Sequence, residues 1–593
     1  MNDQSWANLA TMFFEQADRL ADKPLLWAKQ DGAYQSMSWS KTARQVRLLA
    51  GGLKRLGVVA GDRVVVASEN RPEWLIADVA IMAIGAITVP AYVTNTEDDH
   101  HYILENSGAK GAIVSTRRLT ERFLPAAHRS AAARFVIAIE RPELSQQLSV
   151  DVLGWDEALS DEEDGGIDDE ARQWRRSDTA CIIYTSGTGG APKGVMLHHG
   201  SILCNCAGAR DALAELGLGD EAFLSFLPLS HSYEHTAGQF FPLSIGAQIY
   251  YAEGVETLAA NMIEARPTIM TAVPRLYESL HGRISRNVKK AGGVSEKLFA
   301  RALELGERRY LDPKSLSIGQ RLQDAALDRL VRAKVRQRFG GRLKALVSGG
   351  APLNRDIGLF FTALGLRILQ GYGLTESGPV VSCNRSDFAR IETVGPPISG
   401  VEVRIAGDGE ILVRGEMVMQ GYWRNEEATA ESIRDGWLFT GDIGHIDDQG
   451  SLMITDRKKD IIVNSGGDNI SPQRVEGILT LEPEIAQAMV YGDRHPHLSG
   501  LLVPDDEWTR QWAVDNGKPN MPAALVNDED FRKALALAVD RVNERLSNIE
   551  KVRRFIIADA PFTIDNALIT PTMKIRRHKI KEIYGDRLEA LYG

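Results

Sequence analysis

The sequence predicts an α/β protein: a large N-terminal domain of α/β subdomains with a small β-rich subdomain, followed by a small α/β C-terminal domain. Three observations carry this. The chain has 593 residues, of which 44% are hydrophobic, too long for one ordinary core. The first 150 residues alternate helix-length segments with short apolar runs, the pattern of a largely parallel sheet covered by helices. Beyond Val394 the texture changes to short strands with period-two alternation and Gly turns.

In order along the chain, Met1 to Trp27 reads as polar residues followed by an amphipathic helix. It lacks the basic start, apolar stretch and cleavage site of a signal peptide. Arg63 to Ser68, Ala86 to Val93 and Gly111 to Ser115 read as buried strands. The most apolar run, Leu75 to Val93, contains Asp78 and Pro90 and reads as a buried helix leading into a strand. Ser160 to Asp169 reads as an acidic surface loop. Thr179 to Tyr184 is a strand that enters a glycine-rich turn. Gly282 to Lys344 reads as a solvated pair of helices, and Val401 to Ile405 and Gly409 to Val413 as strands of the β-rich subdomain. The charged cluster Asp456 to Lys459 between two apolar strands marks a boundary. It divides the chain into residues 1–456, a linker at 457–460, and residues 461–593.

Composition removes several classes of function. The formal net charge is −10, which argues against general nucleic-acid binding. Four cysteines in this length make no disulfide framework. Cys204 and Cys206 lack a second pair at metal-ligand spacing and read as small buried side chains. A cytoplasmic protein with no membrane anchor is expected, with at most peripheral membrane association.

The most informative segment is Tyr184-Thr185-Ser186-Gly187-Thr188-Gly189-Gly190-Ala191-Pro192-Lys193-Gly194. Glycines let the backbone fold around an anion, three hydroxyls can donate to phosphate oxygens, and Lys193 adds a charge. It is not a Walker A loop, because Pro192 precedes the lysine and Gly194 follows it. This stretch resembles the signature loop of the adenylate-forming superfamily, which includes acyl-CoA synthetases, peptide-synthetase adenylation domains and luciferases. Gly189 departs from that pattern, standing where the family usually has a hydroxyl or Glu side chain.

Further segments follow in the family's order. Phe226-Leu227-Pro228-Leu229-Ser230-His231 resembles the segment lining the carboxylate pocket, which assigns His231 there; Glu234 and His235 receive no role. Val347-Ser348-Gly349-Gly350-Ala351-Pro352-Leu353 is similar to the loop that packs on adenine. In Gln370-Gly371-Tyr372-Gly373-Leu374-Thr375-Glu376, the resemblance assigns Tyr372 to adenine stacking, Thr375 to the α-phosphate and Glu376 to Mg²⁺. A carboxylate suits that hard cation. Gly436-Trp437-Leu438-Phe439-Thr440-Gly441-Asp442 is similar to the ribose-binding segment, with Asp442 accepting from the hydroxyls. Asp456-Arg457-Lys458-Lys459-Asp460 resembles the hinge, with Arg457 reaching the nucleotide and Lys459 as pivot. Ser465, Gly466 and Gly467 correspond to a loop that shapes the pantetheine tunnel. Thr570-Pro571-Thr572-Met573-Lys574-Ile575 resembles the loop of the catalytic lysine, in the form found in long-chain fatty-acid–CoA ligases; this makes Lys574 the candidate.

The resemblance implies ATP-dependent activation of a medium- to long-chain fatty acid to acyl-AMP, then transfer to coenzyme A by rotation of a mobile C-terminal domain. Mg²⁺ is the implied cofactor, and ATP and CoA are co-substrates. The partners are small molecules, and an oligomer is compatible with the sequence. The alternatives are a fatty-acyl-AMP ligase loading a carrier protein, a CoA ligase for aromatic acids, a luciferase-like oxygenase, and a nucleotide sensor without turnover.

Overall fold

The computed structural model describes residues 6–143, 148–185, 191–387, 389–519, 525–570 and 574–593. Two eight-stranded sheets form the N-terminal part. One is ordered Ser382–Cys383, Ile368–Tyr372, Ala345–Ser348, Ile269–Ala272, Ala222–Ser225, Gln248–Tyr251, Pro24–Gln30 and Ala33–Ser38. The strands between Ile368–Tyr372 and Pro24–Gln30 are mutually parallel. The other runs from Gly421–Tyr422 through Lys193–His198, Thr179–Thr185, Ile87–Ala91, Arg63–Ala67, Gly111–Val114 and Phe135–Ala138 to Asp151–Gly154.

The largest core cluster contains residues of both sheets, such as Val64 and Ile183 from one and Phe223 and Ile249 from the other. Helices Leu9–Leu20 and Pro72–Ala83 contribute Phe13, Trp74 and Ile81 to it. Every residue from Trp74 to Ala83 is buried, which is why this stretch reads as apolar all round.

Residues 402–457 form a five-stranded, mostly antiparallel sheet. The last part has a three-stranded sheet, Leu498–Pro504 between Ile485–Tyr491 and Val552–Ile557. Helices Pro472–Leu479, Glu529–Glu544 and Arg577–Glu589 pack on it, and its two apolar clusters draw only on residues after 461.

Three expectations need correction. The first helix stops at Leu20, where Ala21 caps it with φ 46°; Pro24–Gln30 is then a strand that pairs in parallel with Gln248–Tyr251. The acidic stretch at 160–169 is a loop only as far as Gly166, and its end begins helix Ile167–Ala171. The segment after Gly282 holds more than a pair of helices: Pro274–Ala291, Gly293–Leu311, Ile318–Leu327 and Ala333–Arg338, with a π-helical turn at Asp328–Arg332. Gly292 and Gly293, both at positive φ, interrupt what composition reads as continuous. Cys204 and Cys206 are buried thiols on helix His199–Leu213, and no group of three metal-ligating side chains occurs among the described residues.

Candidate active site

The site lies at the carboxyl ends of the parallel strands, where open α/β sheets leave a crevice for ligands. Gly349 to Pro352 follow strand Ala345–Ser348, Tyr372 ends strand Ile368–Tyr372, and Phe226 to His231 follow strand Ala222–Ser225. These segments open into a cavity of about 3250 Å³, also lined by Thr185, Lys193, Thr375, Glu376, Asp442, Arg457, Lys459 and Lys574. Ser186, Gly187, Thr188 and Gly189 fall outside the described residues. Ser465, Gly466 and Gly467 do not line the cavity. Their loop is closed by Asn464, whose side-chain oxygen accepts from the N–H groups of Gly466 and Asp468, each at 2.9 Å.

Around Asp442 the candidate residues are bonded to one another. Asp442 and Arg457 face each other across an antiparallel pair of strands. The Arg457 Nε donates to Asp442 Oδ1 at 3.0 Å, and the Tyr372 hydroxyl donates to Oδ2 at 2.7 Å. Burial and the Asp442 charge hold the Tyr372 phenol well above its ordinary pKa. Burial works against the Arg457 charge, but Asp442 and Glu376 overcome it and leave its pKa raised.

A second chain of contacts runs through Tyr422, which sequence reasoning missed. Its hydroxyl donates to Glu376 Oε1 at 2.9 Å. The Lys193 ammonium lies 4.9 Å from its ring centroid, a cation–π contact. Tyr422 arrives on the two-residue strand that pairs with Lys193–His198, far along the chain from either partner, so no local motif marks it. Ser232, also missed, shares a 2.9 Å hydrogen bond between its hydroxyl and that of Thr375.

The glycines act by size. A Cβ on Gly349 would sit 3.1 Å from the Tyr233 ring, and one on Gly373 would sit 1.8 Å from the Pro379 carbonyl oxygen. Gln370 lines the cavity, but its amide donates to the backbone carbonyls of Ile391 and Thr393, tying strand to loop.

Lys574 reaches the cavity from the C-terminal part. Thr570 N–H donates to the Lys574 carbonyl at 2.8 Å, and Lys574 N–H donates to the Thr570 hydroxyl at 3.0 Å, which closes the loop at its base. The enclosing protein and the Arg457 charge push the Lys574 pKa down, while Asp442 and Glu376 pull it up; the net shift is downward. Enclosure and the Lys574 charge push His231 down to about 3, so its imidazole is neutral at physiological pH. The two side chains therefore share one electrostatic environment.

Around the segment Phe226 to His231 the wall is held from behind. The Asn70 amide donates to the Ser225 hydroxyl at 2.9 Å and to the Leu227 carbonyl at 2.7 Å, and its oxygen accepts from Leu229 N–H at 3.1 Å. This fixes the segment that carries His231. Glu234 is fully buried. Its carboxyl meets the Ser225 and Thr271 hydroxyls at 2.6 Å each. Burial raises its pKa to about 7, against the two hydrogen bonds. Glu234 opens the π-helical segment Glu234–Phe240, a distortion common at functional sites. The next residue is buried too: His235 Nε2 lies 2.9 Å from Asp78 Oδ2, which also accepts from Gln239 at 3.0 Å. These contacts give Glu234 and His235 a structural setting that sequence reading left blank.

Comparison with known proteins places this arrangement. The model of the AMP-binding enzyme family matches residues 13–423, and that of the AMP-binding enzyme C-terminal domain matches residues 459–593. The long-chain-fatty-acid–CoA ligase FadD15 of Mycobacterium tuberculosis is 35% identical over 595 residues, covering 99% of this chain and 97% of its own. Peroxisomal long chain acyl-CoA synthetase 7 of Arabidopsis thaliana is 31% identical over 598 residues, covering 95% of this chain and 82% of its own. Among solved structures, the adenylation domain of a Segniliparus rugosus carboxylic acid reductase, with AMP and a co-purified carboxylic acid, shares the fold. It has a TM-score of 0.76 at 21% identity, over 99% of this chain and 94% of that one. Two family models in order along the chain, and full-length relatives above the 30% level, lead to one conclusion: the chain belongs to the AMP-binding enzyme family.

Proposed function

We propose that this protein is an AMP-forming acid–thiol ligase that activates a medium- to long-chain fatty acid with ATP and transfers the acyl group to coenzyme A. The observation that supports it most is the meeting in one cavity of Lys574, from the last residues, with Lys193, Glu376 and Asp442 from the N-terminal part. The names of the full-length relatives support the choice of acid and acceptor.

The first step joins two anions. A carboxylate oxygen attacks the α-phosphorus, the bond to the bridging oxygen breaks, and pyrophosphate leaves. The protein must offset the repulsion and align the attack. In this reading Asp442 accepts from the ribose hydroxyls, displacing Tyr372 or Arg457 from one oxygen. Lys193 and Thr185 face the triphosphate, Thr375 donates to the α-phosphate, and Gly349 to Pro352 with Tyr372 enclose the adenine. Lys574 supplies positive charge between carboxylate and phosphate. His231, neutral, orients the carboxylate at the mouth of the acyl pocket.

Glu376, one of several carboxylates that line the cavity, suits Mg²⁺, which binds through one or two carboxylates plus substrate phosphates. Glu376 would hold it, and its role there would be to neutralise phosphate charge. Coenzyme A thiolate then attacks the acyl carbon and AMP leaves. We assign residues 1–456 to the acid- and nucleotide-binding domain, 457–460 to a hinge pivoting at Lys459, and 461–593 to the mobile domain. In the present arrangement Lys574 faces the cavity and the loop Ser465 to Gly467 lies outside it, which suits the first step. All four cysteines are free buried thiols, as expected in a reducing cytoplasm.

ATP–pyrophosphate exchange across acids from acetate to palmitate, plus benzoate, with and without CoA, tests this. Long chains should be preferred, and CoA should convert the adenylate to thioester and AMP. Exchange without acylation of CoA would point to a carrier-protein acceptor, and preference for benzoate to an aromatic acid ligase. Lys459→Pro should slow thioester formation much more than exchange; equal slowing of both would remove the hinge.

A further inference from the structure

The helical excursion beyond the cavity departs from the usual pattern of a surface helix. Its inward face buries charge beside a small apolar cluster of Ala302, Leu305, Leu316 and Leu327. Arg332 is fully buried, and its guanidinium donates to the carbonyls of Ala363 and Ala302 at 2.6 Å each, to the Asp324 carbonyl at 3.2 Å, and to Asp324 Oδ1 at 2.6 Å. Asp324 also accepts from Arg309 at 2.7 Å. Its outward face carries the aliphatic residues: Ile318 is 80% exposed, Leu322 70% and Leu330 54%. With exposed Ala326 they recur every four residues along Ile318–Leu327 and the π-helical turn, so they form one stripe. Scattered exposed leucines need no explanation. A periodic stripe opposite a buried, hydrogen-bonded arginine is different, because burying charge is costly and replaceable by apolar packing. The Arg332–Asp324 lock fixes which face looks out.

Charge surrounds the stripe. Lys314, Arg321, Arg329, Lys334 and Arg338 are all exposed. Between residues 282 and 344 there are seventeen Lys and Arg against six Asp and Glu, in a chain whose net charge is −10. The attraction to an anionic surface is thus concentrated in one module of a protein that such a surface otherwise repels. The module is also continuous with the cavity: its first helix, Pro274–Ala291, contributes Leu276, Leu280, Arg283 and Lys289 to the lining.

We propose that the face formed by Ile318, Leu322, Ala326 and Leu330 with its flanking basic residues is a docking surface for an anionic lipid bilayer. The apolar stripe enters the acyl boundary while Lys and Arg remain at the headgroups, the disposition of an interfacial amphipathic helix. Docking there sets the cavity-lining helix beside the bilayer, a source of apolar acids.

The test is co-sedimentation of the full chain with vesicles of phosphatidylcholine alone or with about one third phosphatidylglycerol. The wild type should bind the anionic vesicles at least about tenfold better and release at high salt. Leu322→Glu and, separately, Arg321→Gln with Arg329→Gln should each lose that binding, with an unchanged thermal midpoint to show that the fold persists. Absence of wild-type binding, or full binding by both variants, overturns the proposal. So does a wild-type dimer in light scattering that Leu322→Glu disperses, since the stripe would then be covered by a second copy.

Discussion

The two halves of the cavity are held in opposite ways. Around Asp442 and Glu376 the cavity-lining residues hold each other: Tyr372 and Arg457 on Asp442, Tyr422 on Glu376, Lys193 over Tyr422. Around His231 the cavity-lining residues are held by groups that do not line it. Asn70 fastens the His231 segment, Glu234 fastens Thr271, and Asp78 fastens the π-helical turn. A polar ligand with fixed charges can be met by a preformed constellation. In the proposed function the other end takes an apolar chain, which offers nothing to bond, so the shape of its wall must be set from outside.

Substitutions should therefore act differently in the two halves. The largest effect is expected from Lys574→Ala, which removes charge stabilisation from the attack itself. ATP–pyrophosphate exchange should fall about 10²- to 10³-fold, while conversion of added acyl-AMP and CoA to thioester should change little. If both reactions fall together, Lys574 belongs to the fold rather than the first step. Next is Asp442→Asn, which takes from Arg457 its hydrogen-bonded counter-charge and, in the proposed function, weakens the acceptor for ribose. KM for ATP should rise about thirtyfold, the cost of a charged hydrogen bond, with KM for the acid unchanged. A change in the acid term alone would break the division between the halves.

Asn70→Ala should do the converse. It strips partners from the Leu227 carbonyl and Leu229 N–H and should raise KM for the acid about tenfold, sparing KM for ATP. A purely structural role would lower the thermal midpoint and shift both constants alike, so the ratio of the two is the reading that matters.

The smallest effect is one of pH. Burial raises the Glu234 pKa to about 7, from an ordinary 4.5. The folded state then holds a proton that the unfolded state has released. This contribution is complete below about pH 4.5 and is lost as pH rises through about 7. Between pH 6 and 8 the wild type should lose about 1 kcal/mol from this group. Glu234→Gln keeps two hydrogen-bonding positions without the titration and should escape that loss. Thermal midpoints at the two pH values compare them, and parallel declines would show that Glu234 is neutral or ionised throughout.

How far the sequence could lead depended on what kind of contact a residue makes. Asp442, Thr375, Glu376 and Lys193, which line one cavity, were legible as candidates because each stands in a short segment whose glycines, hydroxyls and charges suit phosphate or sugar. The buried strands at 63–68, 86–93 and 111–115 were legible because a strand covered on both faces is continuously apolar. Tyr422, Ser232 and Asn70 were not, since each works through a partner 46 to 159 positions away. Glu234 and His235 were visible as titratable residues, but nothing local said that one would meet two hydroxyls and the other Asp78.

The same limit applies outside the site. Composition marked 282–344 as helical and basic, yet it could not say that Arg332 faces inward and Ile318 outward, because both choices satisfy a helical period. By itself the sequence determined the alternation of strands and helices, the order of the candidate site segments and the chemistry each can offer, since these follow from local spacing and side-chain type. Only the tertiary structure decided which groups are buried together, which carboxyl is driven to hold its proton and which helix face meets solvent. Burial and desolvation depend on what packs against a residue from distant parts of the chain.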